Sequence, residues 1–381
     1  MEGQFDNIRP YNDEQTREAL KRIAKAPEIT QVCEFLRGSG IEEEPLRKLL
    51  CSLDGIDDFQ VKVMATVVRT VIAKTTKGVS TSGIENIKNG KKHIILSNHR
   101  DIMLDPSIIQ LILFENGVST TEIAVGDNLI ANQFIEDAFR SNRMIKVTRG
   151  GTPREKYTAS KLLSEYLRDC VVSDRCSAWI AQRNGRSKDG RDMTEQGLLK
   201  MFEMSGSGDF VKDFNELSIL PVAISYQFEP CDFLKARELY ITRKVGQYIK
   251  SPGEDTQSIL IGLMQDKGKV SFDFSPEIPL EEIQECAKLE KNEKFLALAS
   301  VIDDRIRSNY KLWNNNYIAY DLLHASTRYS DKYTKEEILY FVTYMEKGLS
   351  VILQKEPEID AAELRNIFLS IYANPVECRQ V

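Results

Sequence analysis

The chain has 381 residues, of which 42% are hydrophobic and 28% charged, and a formal net charge of −6. These are the proportions of a globular protein with ample core, and the negative balance argues against a dedicated nucleic-acid binder. No apolar run approaches the roughly 18 residues needed to span a bilayer, and the acidic, polar start does not read as a signal peptide, so a cytoplasmic protein is expected. The seven cysteines (33, 51, 170, 176, 231, 286 and 378) are scattered and odd in number. Cys170 and Cys176 form the closest pair, with no histidine or further cysteine beside them, so reduced thiols are expected rather than disulfides or a metal site.

Apolar residues spaced by three and four predict helices over Glu14 to Ala26, Ile29 to Arg37 and Glu42 to Leu53, with Gly38-Ser39-Gly40 and Asp54-Gly55 as breaks. Phe59 to Lys77 predicts another helix. On it Val61, Met64, Ala65, Val68, Val71 and Ile72 share one broad face, while Lys62, Arg69, Lys74 and Lys77 bring positive charge. Such a helix suits an anionic lipid surface; the plainer alternative is packing on the main domain with its lysines in water.

From Gly83 onward, short apolar strands alternate with longer helices. Strands are predicted at His93 to Leu96, Glu122 to Val125, Met144 to Val147, Ser177 to Ala181 and Ser218 to Ser225. Helices are predicted at Pro106 to Glu115, Asn132 to Phe139, Pro153 to Val171 and Thr194 to Met204. This succession implies an α/β fold with a mostly parallel central sheet flanked by helices. Helical spacing returns over Leu280 to Ile306, Lys335 to Leu353 and Ala361 to Tyr372, so helical additions are expected at both ends. The division drawn from this pattern is a helical subdomain at 1–82, an α/β domain at 83–330 and a helical extension at 331–381. In parallel sheets ligands sit beyond the carboxyl ends of the strands, which places His99, Asp127, Arg149 and the loop after Ala181 along one edge.

Three segments on that edge carry chemistry. The first is Ser97-Asn98-His99-Arg100-Asp101-Ile102-Met103-Leu104-Asp105-Pro106, where a histidine leaves a buried strand with carboxylates close behind. The chain has only three histidines, and a carboxylate neighbour equips this one as a general base. A satisfied histidine at a strand end is the competing reading. The second segment, Ala181 to Arg191, puts Arg183, Arg186, Lys188 and Arg191 on a loop containing Gly185 and Gly190. Arginine forks match phosphate oxygens and glycine lets backbone N–H groups approach an anion, so a phosphate-bearing substrate is expected, against the alternative of a solvated basic turn. The third, Lys146 to Gly151, repeats cations and glycines at a strand end. His99-Arg100-Asp101-Ile102 also imitates a protein-kinase catalytic loop, but Pro106 stands where that loop needs asparagine.

With these residues in hand, the chain resembles the phospholipid and glycerol acyltransferases. Ser97-Asn98-His99-Arg100 with a following aspartate is similar to the family's catalytic block. Phe139 through Met144-Ile145 to Arg149 is similar to its second block, Asn184 to Lys188 with Gly190-Arg191 to its third, and Leu220 to Tyr226 to its fourth. The four blocks occur in the family's order across roughly residues 83 to 240. The resemblance implies transfer of a fatty acyl group from acyl-CoA or acyl carrier protein to glycerol 3-phosphate or its 1-acyl derivative (lysophosphatidate). It implies His99 as base, paired with Asp105 or Asp101, and substrate binding by Asn98, Arg100, Arg149, Arg183, Gly185, Arg186, Ser187 and Lys188. No cofactor or metal is implied beyond the acyl donor, and a peripheral membrane surface is the expected partner.

Two departures from the family pattern stand out. The usual spacing leaves four residues between histidine and aspartate, whereas five lie between His99 and Asp105. Pro106 is read as marking a helix start with Asp105 at its N-cap, which favours Asp105 over Asp101. The third block ordinarily opens on glutamate, where Arg183 or Asn184 stands here. A same-fold transferase for another lipid acceptor, and a degenerate member that binds lipid or carrier protein without turnover, are the alternative readings. An unrelated phosphate-ester hydrolase lacks the metal-ligand cluster or nucleophile such an enzyme needs.

Overall fold

Seven strands form one sheet in the order β1-β7-β6-β2-β5-β3-β4. They are β1 (Val79–Ser82), β2 (Ile94–Ser97), β3 (Glu122–Gly126), β4 (Met144–Val147), β5 (Ala178–Ala181), β6 (Leu220–Tyr226) and β7 (Val270–Phe274). The computed structural model describes residues 3–35, 41–87, 90–251 and 253–379. The expected break at Gly38-Ser39-Gly40, and the end of the helix expected to reach Arg37, lie outside the described residues.

β6, β2, β5, β3 and β4 run parallel, as the strand–helix succession requires. β7 pairs antiparallel to β6, and β1 runs parallel to β7. Neither of these two strands is evident from sequence. β1 is a polar edge strand with three exposed residues, and β7 alternates buried with half-buried positions over only five residues. β1 lies before the boundary expected at 82/83, yet it belongs to the sheet.

The sheet is covered on both faces, and period-two alternation sorts its side chains. Ile94, Leu96, Ala178 and Ile180 face a core shared with the helices Pro153–Val172, Gln196–Glu203 and Glu293–Asn309. Ile95, Trp179, Val222 and Ile224 face another, shared with Ala65–Thr75 and Leu104–Glu115. A third core joins Asp232–Val245 and Asn314–Leu323 to Lys335–Lys355 and Ala361–Cys378, so packing continues across the boundary expected at 330/331.

The basic helix differs from expectation in an instructive way. It begins with a π-helical stretch, Phe59–Met64, before α-helix Ala65–Thr75. The π stretch carries more residues per turn, so the buried face rotates: Val63 is buried while Val61 is 39% exposed. Phe59, Val63, Ala65, Val68 and Val71 pack into the core. Of the apolar face the sequence offers to lipid, Ala65, Val68 and Val71 are buried, Met64 and Ile72 half-buried, and Val61 exposed. Of the cations, Lys62 pairs with Asp58 and Arg69 with Glu115. Among the described residues no helix is long and apolar enough to cross a membrane.

Candidate active site

The register of the sheet brings the site together. Ser97 on β2 is level with Ala181 on β5 and Val222 on β6, and Gly126 on β3 is level with Val147 on β4. Two residues beyond three of these strand ends stand His99, Arg183 and Arg149. All three line one cleft of about 760 Å³.

Within the loop after β2, His99 Nδ1 lies 2.8 Å from Asp105 Oδ2. The same oxygen accepts the backbone N–H groups of Arg100 at 2.6 Å and Asp101 at 2.9 Å. Tyr226 donates its hydroxyl to the other oxygen, Oδ1, at 2.7 Å. Asp105 is fully buried, and each of its oxygens has a hydrogen-bond partner. With Nδ1 committed to the carboxylate, Nε2 is the ring nitrogen left for the cleft. The imidazole also stands edge-to-face on Trp179, centroids 5.7 Å apart, and Trp179 Nε1 donates to Ser97 Oγ at 3.0 Å.

Asp101, the other candidate partner, makes no hydrogen bond to His99. Its Oδ1 accepts the N–H groups of Met103 and Leu104 at 2.9 and 2.8 Å, which ties down the orphan donors of a helix start. Burial, with Asp105 adding to it, pushes its carboxyl above the usual range. The helix therefore begins at Leu104, with Met103 in the N-cap position. Asp105 sits inside the first turn rather than at the N-cap the sequence suggested, because Asp101 already does the capping.

Positive charge gathers along the cleft. Arg149, Arg183, Arg186 and Lys188 line it together with Gly185. Arg186 is 7% exposed, has no salt-bridge partner among the described residues, and leaves Nη1 buried without a hydrogen bond. Arg183 Nε is likewise buried and unpartnered. Lys188 donates to Glu238, and burial, reinforced by Arg186, pushes it down to about 8. Arg149 is placed by its backbone, whose N–H donates to Asp127 Oδ1 at 3.0 Å. Gly185 adopts φ +77°, where a side chain would be strained, and so lets the loop turn at the cleft wall. Glu195 and Glu238 also line the cleft, so carboxylates are present although positions 183 and 184 carry none. Leu163, Leu198 and Met201 give the same cleft an apolar wall.

Three residues expected to bind substrate point elsewhere. Asn98 is fully buried and ties β2 to β6, donating to Ile224 O at 2.9 Å and accepting from Ile224 N at 2.7 Å. Arg100 is also fully buried, between Asp192 and Glu229, with its guanidinium over the Tyr310 ring. Ser187 donates its backbone N–H to His99 O at 2.8 Å, so it fastens the basic loop to the histidine loop. A side chain after the histidine faces inward here because the chain turns away from the cleft to start the helix. That geometry leaves no trace in residue type.

Beneath the site lies a polar network that sequence reading missed. Lys235, 1% exposed, donates to Glu229 and to the carbonyl of Arg100 at 2.8 Å. Tyr372 accepts from Glu229 N and donates to Asp232, linking the C-terminal helix to the segment after β6. Gly190 is needed at this contact: its φ is +79°, and a Cβ there would lie 2.2 Å from the carbonyl oxygen of Ile371. Cys170 and Cys176 meet Glu122, 48 residues or more away in sequence, in a second buried cluster. Arg175 bonds both the Glu122 carboxylate and Cys170 Sγ, and Tyr166 donates to the carboxylate, which makes this an internally neutralised group. The Cys176 contact and burial push the Cys170 thiol up, so it stays protonated.

The crystal structure of the 1-acyl-sn-glycerophosphate (LPA) acyltransferase PlsC from Thermotoga maritima aligns with 78% of this chain and 98% of its own, at 13% identity and a TM-score of 0.39. No curated protein matches the sequence. Residues 78–225, which hold β1 through all but the last residue of β6, His99, Asp105 and the basic loops, match the family model described as Acyltransferase. The likeness to the acyltransferase family is thus a likeness of the segment at residues 78–225.

Proposed function

We propose that this chain transfers a fatty acyl group from the thioester of acyl-CoA or acyl carrier protein to a hydroxyl of glycerol 3-phosphate or 1-acylglycerol 3-phosphate. One observation carries the reading: His99, held by a buried carboxylate, opens on the same cleft as Arg149, Arg183 and Arg186, none of which forms a salt bridge among the described residues, and Arg183 Nε and Arg186 Nη1 are buried without a hydrogen bond. A buried guanidinium without a salt bridge, as at Arg186, is costly, and a phosphate-bearing acceptor would supply an anion for it.

His99 takes the proton from the acceptor hydroxyl through Nε2 as the oxygen attacks the thioester carbonyl. Asp105 stabilises the imidazolium that forms, and the departing thiolate takes that proton as the intermediate collapses. The arginines hold the phosphate so that the hydroxyl arrives oriented, an advantage on the order of several kcal/mol. The apolar wall at Leu163, Leu198 and Met201 suits the fatty chain. An amphiphilic product implies peripheral contact with a membrane surface.

The test is release of free thiol from each donor, with glycerol 3-phosphate, its 1-acyl form and unphosphorylated glycerol as acceptors. We expect turnover that depends on the phosphate and that falls at least 100-fold in His99→Ala. Turnover indifferent to the phosphate, or retained in the His99 variant, defeats the proposal.

A further inference from the structure

We infer that Tyr226 is a positioning residue for this transfer, its hydroxyl holding the second oxygen of Asp105 so that the first stays aligned with His99. The inference rests on the function proposed above. Asp105 presents Oδ2 to the imidazole and to two backbone N–H groups, and all three of those contacts lie on one edge of the carboxylate. They leave rotation about the Cβ–Cγ bond opposed from one side only. Tyr226 closes the other side. It is the last residue of β6, 121 residues away in sequence, and its hydroxyl lies 2.7 Å from Oδ1. Both residues are buried, 0% exposed for Asp105 and 1% for Tyr226, so water does not reach Oδ1 to substitute for the phenol.

The direction of the bond is fixed. Burial, followed by the neighbouring carboxylates of Asp105 and Asp101, holds the phenol far above its ordinary pKa, so Tyr226 donates throughout the working pH range. The charged and titratable groups around the carboxylate are His99, Arg100 and Asp101 on its own loop, Glu229 beyond β6, and Tyr310 from the C-terminal side. Among the described residues, only Tyr226 among their side chains bonds Oδ1. The bond also explains how a histidine and aspartate separated by five residues form a pair. Asp105 stands in the first turn of Leu104–Glu115 with an oxygen facing β6, and the strand end supplies a donor there.

Removing the donor concentrates negative charge on the edge that faces His99 and loosens its alignment. The imidazolium is then held more tightly in the free enzyme, so the base titrates higher, while the acceptor site is untouched. The experiment compares Tyr226→Phe with the wild-type chain by thiol release from pH 5 to 9, and by the low-field proton resonance of His99 Nδ1–H. The expected result is a fall in kcat of about tenfold with acceptor KM unchanged, and an acidic limb of kcat/KM moved up by about half a pH unit. The Nδ1 proton should shift and broaden. A folded Tyr226→Phe protein with the wild-type kcat, limb and resonance overturns the inference, as does a change confined to KM. If the wild-type chain transfers no acyl group at all, the function proposed above fails, and the resonance, which needs no turnover, still decides the role of Tyr226. Should Tyr226→Phe lose its fold, wild-type chain grown with 3-fluorotyrosine, a stronger donor, should shift the limb and the resonance the opposite way; no shift overturns the inference.

Discussion

Asp105→Asn removes one charge and changes no heavy-atom count, so it isolates what the carboxylate does. The amide oxygen can occupy the Oδ2 position and still accept from His99 Nδ1 and the N–H groups of Arg100 and Asp101. Its NH₂ then faces Tyr226, whose hydroxyl can turn to accept. The dyad keeps its shape and the imidazolium loses its counter-charge. Unit charges about 4 Å apart attract by about 4 kcal/mol at an effective dielectric near 20. Each 1.36 kcal/mol is about tenfold in rate, so the loss should lie between about 10² and 10³ in kcat/KM. The flipped amide, NH₂ toward His99, would force the wrong tautomer and deepen the loss toward about 10⁴. Thiol release measures the rate, and a thermal melt should show the fold intact, since a buried charge has been replaced by a neutral isostere. An Asp105→Asn protein within tenfold of wild type, beside a dead Asp101→Asn, would refute the assignment of Asp105 as the partner of His99.

Arg100→Met should act on stability rather than on substrate. It leaves buried Asp192 without its guanidinium, while Glu229 keeps Lys235, and the loss costs about 3–5 kcal/mol; a denaturant midpoint unchanged from wild type, with a raised acceptor KM, would restore Arg100 to the binding set. Acceptor KM should rise between pH 7 and 9, because burial pushes Lys188 down to about 8 and its charge at the cleft is lost above that value. Lys188→Met should flatten that rise, and a Lys188→Met profile parallel to wild type would remove Lys188 from the acceptor site. For the fold the sign is opposite. The unfolded lysine, near its ordinary value of about 10.4, binds more protons than the folded one across roughly pH 8 to 10.4, so this group's contribution to stability increases with pH over that window.

Much of the architecture was readable one segment at a time. Five parallel strands and the helices between them follow from apolar periodicity, and the observed bounds of β4 and Pro153–Val172 depart by at most one residue from those read off the chain. His99 at a strand end and the cations of the 183–188 loop are local patterns as well. β1 escaped notice because one valine followed by three small polar edge residues carries no periodic signal, and β7 because five residues alternating buried with half-buried make too short a pattern. The π-helical stretch at Phe59–Met64 escaped because it changes a helix's register without changing its composition.

The choice between the two aspartates belonged to the tertiary structure. Asp101 and Asp105 are chemically identical and a turn apart; what separates them is that one caps the helix while the other meets a tyrosine from β6. Asn98 and Arg100 flank His99 in sequence but turn inward to Ile224, Asp192 and Glu229, partners 94 or more residues away for Asn98 and 92 or more for Arg100. Residue type and spacing encode periodicity and turn chemistry, which depend on neighbours along the chain. Which oxygen is satisfied, which arginine is neutralised and which is left to a ligand depend on groups that only folding brings within hydrogen-bonding distance.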